Sequence, residues 1–141
     1  MLQRPQQPEH RIMALKTRMI SLLAYQPLWR TGLVLSVIAI LFLATTNESL
    51  PLPSSPNDKI NHFIAFLELA ILTQLGWPTV KPLTTIVALL AFGLAVEGIQ
   101  APLPYREFSL LDVVADGVGI IAGLLVWHGL LKSYVSAYSP N

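Results

Sequence analysis

Apolar residues are concentrated in four long stretches of this chain, and polar or proline-containing segments separate them. The stretches are Leu28–Thr46, Ile60–Leu75, Leu83–Ile99 and Leu110–Leu131. At about 1.5 Å of rise per residue, a helix over each stretch covers most or all of a hydrocarbon layer that is roughly 30 Å thick. The alternation of polar and apolar residues that marks membrane β-strands is absent. The pattern predicts an all-α protein in which residues 28–131 form a four-helix transmembrane bundle.

The distribution of basic residues predicts which way this bundle faces. Seven Lys and Arg residues lie at or before the start of the first stretch, in the second connection and after the last stretch, against two in the other connections. Because basic residues collect on the cytoplasmic side of a membrane, we expect both termini in the cytoplasm. The expected location is the bacterial cytoplasmic (inner) membrane, crossed several times, with residues 132–141 as a short cytoplasmic tail.

Residues 1–27 form a basic segment ahead of the first stretch, and two interpretations of it stay open. Ile12, Leu15, Met19 and Leu22 recur at helical spacing, which is typical of an amphipathic helix on the inner leaflet. The other interpretation is a cytoplasmic tail whose charges only set the topology. The first stretch is interpreted as a retained anchor rather than a signal peptide, because the sequence LFLATTNES lacks a cleavage site of small residues.

The composition agrees with a lipid environment. Hydrophobic residues make up 53% of the chain, charged residues only 12%, and the mean hydropathy is +0.58. Soluble domains carry roughly a quarter charged residues, so this chain has too few to coat a water-exposed surface. The net charge of +1 gives no basic footprint, so we expect the lipid bilayer as a partner and no nucleic acid. The absence of cysteine excludes disulfides and thiol nucleophiles.

Ionisable and amide side chains collect at the ends of the stretches that this orientation places on the extracytoplasmic side. They are Asp58, Lys59 and His62, then Glu97 and Gln100, and then Arg106, Ser109, Asp112 and Asp116. Each group contains a pair spaced by three or four residues, which share a helix face. A charge at the centre of a membrane span costs roughly 2.5–3.5 kcal/mol, so such groups normally face the interior of a bundle. We therefore expect three helices to direct these side chains into one polar pocket.

The fourth stretch combines this acidic face with small residues. Gly119 and Gly123 continue the face of Asp112 and Asp116, and small residues at this spacing let a neighbouring helix approach closely. The acidic face is therefore also predicted to be the packing face. Ser109 is interpreted as the N-cap of this helix, with Asp112 three residues later in the position of a capping-box partner.

Three of these segments also resemble a known family. DKINHFIAF, EGIQ and REFSLLDVVADGVGIIAG are similar, in this order, to motifs of the VanZ-like family of small bacterial integral membrane proteins, over roughly residues 35–130. The family often has Tyr where Phe66 stands and Asn where Asp116 stands. The resemblance implies a membrane domain of this topology and a link with resistance to glycopeptides of the teicoplanin type. No biochemical activity is established for the family at large, so the resemblance implies topology rather than chemistry.

The predicted pocket is open to three functions. In the favoured one, Lys59, His62 and Arg106 donate hydrogen bonds to a lipid headgroup, a lipid-linked wall precursor or a glycopeptide, and the carboxylates and Gln100 accept from its hydroxyl groups. The protein then binds or shields an envelope component and influences susceptibility to envelope-directed antibiotics. The second function is a membrane-embedded enzyme acting on such a headgroup, with His62 and the carboxylates as acid–base groups or metal ligands. The third is a structural polar network without a ligand.

The sequence signals for cofactors and for transport are weak. No cofactor and no metal are expected, because the pocket has a single His and no H-E-x-x-H motif. Glu68, about two turns deeper than His62, is interpreted either as part of an ion pathway or as a side chain hydrogen-bonded to a neighbouring helix. No chain of polar residues continues from it towards the cytoplasm, which disfavours a transporter. The sequence leaves an oligomer open.

Overall fold

The computed structural model describes residues 8–46, 58–104 and 109–137, and all regular secondary structure in these ranges is helical. The elements are α1 (Pro8–Leu23), α2 (Gln26–Thr45), α3 (Asp58–Gly76), α4 (Pro82–Gln100), α5 (Leu110–Val126), a π-helical turn (Trp127–Leu131) and α6 (Lys132–Ser136). The predicted all-α class is confirmed for this part of the chain. The four predicted stretches correspond to α2, α3, α4 and α5 with its π-helical turn, and their ends agree within a few residues.

Prolines mark where two of these helices begin. Pro27 and Pro82 stand in the first turns of α2 and α4, where the missing N–H removes no intrahelical hydrogen bond. The end of the last helix was not predicted. α5 passes through the π-helical turn into α6, so one continuous helix runs from Leu110 to Ser136.

Within the described ranges, three helices are long and apolar enough to cross a membrane: α2, α4 and the continuous helix from Leu110 to Ser136. α3 is not one of them, because Lys59, Asn61, His62 and Glu68 lower its average hydropathy. α3 is nevertheless the helix that packs against α2, α4 and α5 together. A membrane protein is therefore supported by three helices, and a fourth span at α3 stays a prediction.

The core lies between α3, α4 and α5. Its buried members are Phe66, Leu69, Ala70, Leu89, Ile120 and Leu124. Gly119 and Gly123 lie where α5 crosses α3. A Cβ atom at Gly119 would collide with the carbonyl oxygen of Phe63, and one at Gly123 would come within 2.6 Å of the carbonyl oxygen of Leu67. The two helix backbones approach this closely because neither glycine carries a side chain.

The bundle end that holds the N-terminus of α2 is rich in tryptophan, and we call it the tryptophan end. Its buried residues Leu75, Trp127 and Val135 are packed against Leu23 and Trp29, among others. α1 therefore reaches this end through its last turn. The apolar side chains that were predicted to form one face of α1 are exposed: Ile12, Leu15, Met19 and Leu22. The segment contains the helix Pro8–Leu23, and its position on the inner leaflet stays a prediction.

Candidate functional site

Five ionisable side chains of the described part of the chain meet at the bundle end opposite the tryptophan end. Lys59 and His62 come from the first turns of α3, Glu97 from the last turn of α4, and Asp112 and Asp116 from the first two turns of α5. We call these five residues the polar cluster. The antiparallel order of α3, α4 and α5 brings the three helix ends together, so residues far apart in sequence become neighbours.

His62 and Asp116 form the shortest ion pair of the polar cluster. The Nδ1 atom of His62 lies 2.9 Å from Oδ1 of Asp116, and the Asp116 side chain is fully buried. A carboxylate in this position accepts the hydrogen of Nδ1 and so fixes both the ring orientation and its tautomer. The opposite ring atom, Nε2, then faces Glu97, whose Oε1 lies 3.9 Å away.

Glu97 is held in place by the start of α5. Its Oε2 atom accepts a hydrogen bond of 2.9 Å from the backbone N–H of Ser109, and the residue is only 1% exposed. Ser109 does occupy the N-cap position, but its side chain makes no capping hydrogen bond. The predicted capping box with Asp112 is therefore wrong, because a carboxylate from another helix takes the Ser109 N–H that Asp112 was expected to bind.

Asp112 pairs with Lys59, another residue of the predicted pocket. Its Oδ1 atom lies 3.7 Å from Nζ of Lys59, whose side chain is half exposed. This distance is within range of an ion pair and too long for a hydrogen bond. Among the described residues, two buried side-chain oxygens have no hydrogen-bond partner, Asp112 Oδ1 and Asp116 Oδ2, and both belong to the polar cluster.

Gly93 is a site residue that the sequence reasoning missed. A Cβ atom at this position would collide with Oδ2 of Asp116 and come within 3.2 Å of Cζ of Phe66. The missing side chain of Gly93 therefore leaves the space that the Asp116 carboxylate occupies. The signal was present in the sequence, because Gly93 stands four residues before Glu97 and so lies on the same helix face.

Gln100 is a predicted pocket residue that binds elsewhere. Gln100 is buried, but its amide Nε2 donates to the backbone carbonyl of Ala44 at 3.2 Å and so ties α4 to the end of α2. The predicted orientation of Gln100 towards the pocket is therefore not observed. Its amide instead binds the backbone carbonyl of Ala44 at the end of α2. Asp58 begins α3, but its side chain lies outside the described part, as does the whole of Arg106.

Glu68 lies on a different face from the polar cluster. Its Oε1 atom accepts a hydrogen bond of 2.9 Å from the hydroxyl of Ser36 on α2, and the pair is exposed on the surface of the bundle. This contact agrees with the interpretation of Glu68 as a side chain bound to a neighbouring helix. It gives no continuation of the polar cluster towards the tryptophan end.

The polar cluster contains a group of side chains with the spacing of metal ligands. His62, Glu97 and Asp112 each offer one ligand atom, and these atoms all lie within 4.8 Å of one another. Imidazole nitrogen and carboxylate oxygen are the donors of many zinc and manganese sites. The same atoms also suit general acid–base chemistry, in which His62 oriented by Asp116 transfers a proton.

The comparisons with known proteins identify a family and a relative that this chain resembles. The family model described as VanZ/LLP1 matches residues 4–132. A protein of the yeast Schizosaccharomyces pombe, whose printed name describes it as uncharacterized, is 31% identical over 98 residues. That match covers 67% of this chain, and the chain spans about 60% of the length of the yeast protein. No solved structure matches.

Proposed function

The chain belongs to the VanZ/LLP1 family, and from this premise we propose that it is an integral membrane protein that binds the headgroup of an envelope lipid at its polar cluster. The binding shields that lipid or lipid-linked component and so lowers susceptibility to drugs that act at the cell envelope, glycopeptides of the teicoplanin type among them. The proposal places α3 across the membrane with α2, α4 and α5, both termini in the cytoplasm and the polar cluster at the outer headgroup level.

The observation that carries the proposal is the unmatched acceptor in the polar cluster. Asp112 Oδ1 is buried without a hydrogen-bond partner, while Lys59 beside it is half exposed. Leaving a buried polar group unmatched costs roughly 1–3 kcal/mol, so a purely structural network would not be expected to retain it. A headgroup supplies what is missing, because its phosphate can bind Lys59 and its hydroxyl or amine groups can donate towards the carboxylates.

The yeast relative narrows the ligand class. The match to a eukaryotic protein favours a ligand that eukaryotic and bacterial membranes share. Glycerophospholipid headgroups meet this condition, whereas precursors of the bacterial wall do not. Phosphatidylglycerol is a suitable probe, because it combines one phosphate with two free hydroxyl groups. An effect on glycopeptides would then follow from altered lipid organisation around the wall machinery rather than from direct contact with the drug.

Native mass spectrometry of the full-length protein in detergent tests the proposal. We expect phosphatidylglycerol to bind at least tenfold more tightly than phosphatidylcholine, whose headgroup has no hydroxyl donor, which corresponds to about 1.4 kcal/mol. Lys59→Gln should weaken the binding of both lipids, because both carry the phosphate, whereas Asp112→Asn should remove the preference, because the hydroxyl groups donate to the carboxylates. Lys81→Gln is the matched control, because Lys81 is an exposed lysine at the opposite bundle end. Equal binding of both lipids, or equal loss in both lysine variants, contradicts headgroup recognition at the polar cluster.

A drug-susceptibility assay tests the cellular part of the proposal. Expression of the wild-type chain in a susceptible Gram-positive host should raise the inhibitory concentration of teicoplanin, and Asp112→Asn at equal membrane abundance should abolish the increase. Glu68→Gln should keep it, because Glu68 contacts Ser36 and lies outside the polar cluster. An unchanged increase in the Asp112 variant contradicts a role of the polar cluster in resistance.

A second candidate function, an enzyme acting on the same headgroup, is favoured by one observation. The 2.9 Å contact between His62 and Asp116 is the arrangement by which a carboxylate orients a catalytic imidazole. Ser109, a hydroxyl residue at the start of α5, contributes its backbone N–H to Glu97, and within the described residues no hydrogen bond of its hydroxyl with His62 is observed. Binding is preferred for this reason. Incubation with phosphatidylglycerol distinguishes the two functions, because an enzyme releases a product that is lost in His62→Gln and a binding protein releases none.

A further inference from the structure

We propose that the polar cluster holds a divalent cation, bound by His62, Glu97 and Asp112, with Asp116 as the carboxylate that orients His62. The three binding residues come from three different helices, α3, α4 and α5. A cation at this position would therefore link the three helix ends that form the polar cluster.

The distances between the ligand atoms support the proposal. His62 Nε2 and Glu97 Oε1 are 3.9 Å apart, which is too long for a hydrogen bond between them. With bonds of about 2.1 Å from a cation to each atom, two ligands on one cation lie roughly 3.0–4.2 Å apart. The full set with Asp112 lies within 4.8 Å, so a shift of one side chain by less than about 1 Å closes the site around an ion.

The surrounding hydrogen bonds already orient two of the three ligands. Asp116 binds Nδ1 of His62, which places the lone pair of the neutral ring on Nε2, the atom that faces Glu97. The backbone N–H of Ser109 binds Oε2 of Glu97 and thereby turns Oε1 towards His62. A carboxylate behind the histidine and a donor behind the carboxylate are the supporting contacts that metal ligands usually have.

The charge balance of the described residues points in the same direction. Glu97, Asp112 and Asp116 are 1%, 5% and 0% exposed, and the cation beside them among the described residues is the half-exposed Lys59, because a His62 that binds a metal through Nε2 is neutral. Three buried carboxylates need more compensation than one half-exposed ammonium group supplies. A divalent cation inside the polar cluster would provide this compensation without desolvating Lys59.

The space around the innermost carboxylate oxygens of the polar cluster favours a bound ion over a bound headgroup at these atoms. Asp112 Oδ1 and Asp116 Oδ2 are both buried, so a headgroup hydroxyl or amine can reach Asp112 Oδ1 only after Lys59 and its surroundings have moved further than a bare ion requires. A dehydrated ion can reach Asp112 Oδ1 when Lys59 swings outward. One nitrogen and at least two carboxylate oxygens are a mixed donor set that suits Mn²⁺ or Zn²⁺ better than Ca²⁺ or Cu⁺.

The cation deepens the proposed function and depends on it only for the identity of the final ligand. An acidic cluster repels a phosphate, and a divalent cation on the carboxylates would reverse this repulsion and bind the phosphate oxygens directly. Lys59 and the cation would both attract the anionic headgroup. At Asp112 they would compete, because both bind the same carboxylate.

Binding of Mn²⁺ to the full-length, tag-free protein in detergent tests the proposal, and the loss of the spectroscopic signal of free Mn²⁺ measures it. We expect about one ion per chain, as three ligands on one site require. Glu97→Gln and Asp112→Asn should weaken binding at least a hundredfold, and Asp116→Asn about ten- to a hundredfold, as for supporting contacts elsewhere. Lys59→Gln should strengthen Mn²⁺ binding about threefold, because it removes a competing ammonium group.

Two matched controls lie outside the polar cluster. Glu68→Gln removes a carboxylate from the same helix as His62, and His128→Gln removes an exposed histidine near the tryptophan end. Both should bind Mn²⁺ like the wild type. Electron spin echo measurements on the wild-type protein should show one imidazole nitrogen bound to Mn²⁺, which needs no variant and is unaffected if a variant fails to fold.

The outcomes separate the cation from the headgroup. No Mn²⁺ or Zn²⁺ binding by folded wild-type protein at 1 mM (roughly the weakest affinity that counts as a site), or equal loss in Glu68→Gln and Asp112→Asn, overturns the cation site. Phosphatidylglycerol binding that survives EDTA leaves the proposed function standing without a cation. Mn²⁺ binding without any lipid preference supports the cation site and contradicts the headgroup.

Discussion

The two ends of the helix bundle differ in whether their polar groups have hydrogen-bond partners. At the tryptophan end, Arg30 donates to the carbonyl oxygen of Gly76 at 2.9 Å and to Gln26 at 3.0 Å, and it lies 4.8 Å from the ring centre of Trp77. The indole of Trp29 donates to the carbonyl oxygen of Leu23. At the polar cluster, two buried carboxylate oxygens have no hydrogen-bond partner among the described residues.

This difference separates structural polar groups from functional ones. Matched buried networks rigidify a fold, whereas an unmatched buried acceptor is retained only where something else compensates for it. Gln74 and Thr85, near the tryptophan end, illustrate the first case, because both are 1% exposed and bind each other at 3.0 Å. The polar cluster illustrates the second, and both proposals above name what compensates: a lipid headgroup outside and a divalent cation inside.

The largest expected effect comes from disrupting the close packing of α5 against α3, which connects the two ends of the bundle. Gly119→Ala places a Cβ atom against the carbonyl oxygen of Phe63 and 3.1 Å from the backbone nitrogen of Leu67. Backbone atoms cannot rotate away, so α5 must move off α3. We expect a loss of about 3 kcal/mol in the free energy of unfolding. Titration with SDS in mixed micelles, followed by tryptophan fluorescence, measures it.

The control for this variant is Gly98→Ala, because no heavy atom lies within 4 Å of a Cβ at that position. It should unfold within about 0.5 kcal/mol of the wild type. If Gly119→Ala is equally harmless, the close approach of α3 and α5 is not what assembles the two ends.

A smaller effect should distinguish the two ends directly. Gly93→Ala, in the polar cluster end, places a Cβ against Oδ2 of Asp116, a fully buried side chain that is held by His62. Gly76→Ala, at the tryptophan end, places one 3.2 Å from Cγ and 3.5 Å from the backbone nitrogen of Arg30, so a shift of a few tenths of an ångström accommodates it. We expect a loss of about 1.5 kcal/mol in the first variant and less than about 0.5 kcal/mol in the second.

The same SDS titration compares these two variants, and Mn²⁺ binding adds a second measurement. Gly93→Ala should also weaken Mn²⁺ binding, because the displaced Asp116 no longer orients His62. Gly76→Ala should leave it unchanged. Equal stability losses would mean that the carboxylate of Asp116 moves as freely as the arginine side chain, and the distinction between the ends would not hold.

The sequence was sufficient to predict the helices and most of the polar cluster. Four apolar stretches corresponded to α2–α5, because hydrophobic length and helix-breaking prolines act locally. His62, Glu97 and Asp112 could be expected at one end of the bundle. In consecutive antiparallel helices, the end of one helix lies beside the start of the helices before and after it. The pairings were not predictable. The contact of His62 with Asp116, and of Lys59 with Asp112, depends on helix rotation and distance that periodicity leaves undefined.

Two misses have physical reasons of the same kind. Gln100 was expected in the pocket because it shares a face with Glu97, but its amide donates to the backbone carbonyl of Ala44 on α2. Ser109 was expected to cap α5 with its side chain, but Glu97 binds its N–H instead. In both cases a group from another helix provided the partner, and local sequence patterns do not contain that information.

The smallest expected effect is a gain in the free energy of unfolding. It tests whether the unmatched carboxylates of the polar cluster belong to a functional site or to a structural network. Asp112→Asn removes the formal charge from a buried carboxylate whose Oδ1 has no hydrogen-bond partner, and it gives up an ion pair with half-exposed Lys59 that is worth little. We expect the cation-free variant to be about 1 kcal/mol more stable than the wild type. Excess Mn²⁺ should reverse the order, because the ion binds and stabilises only the wild type.

Gln74→Leu is the counterpart at the matched end and should destabilise the protein, since Thr85 loses its partner. If Asp112→Asn destabilises the protein as much as Gln74→Leu does, the polar cluster is a structural network like the one at the tryptophan end, and neither a headgroup nor a cation is needed to explain it.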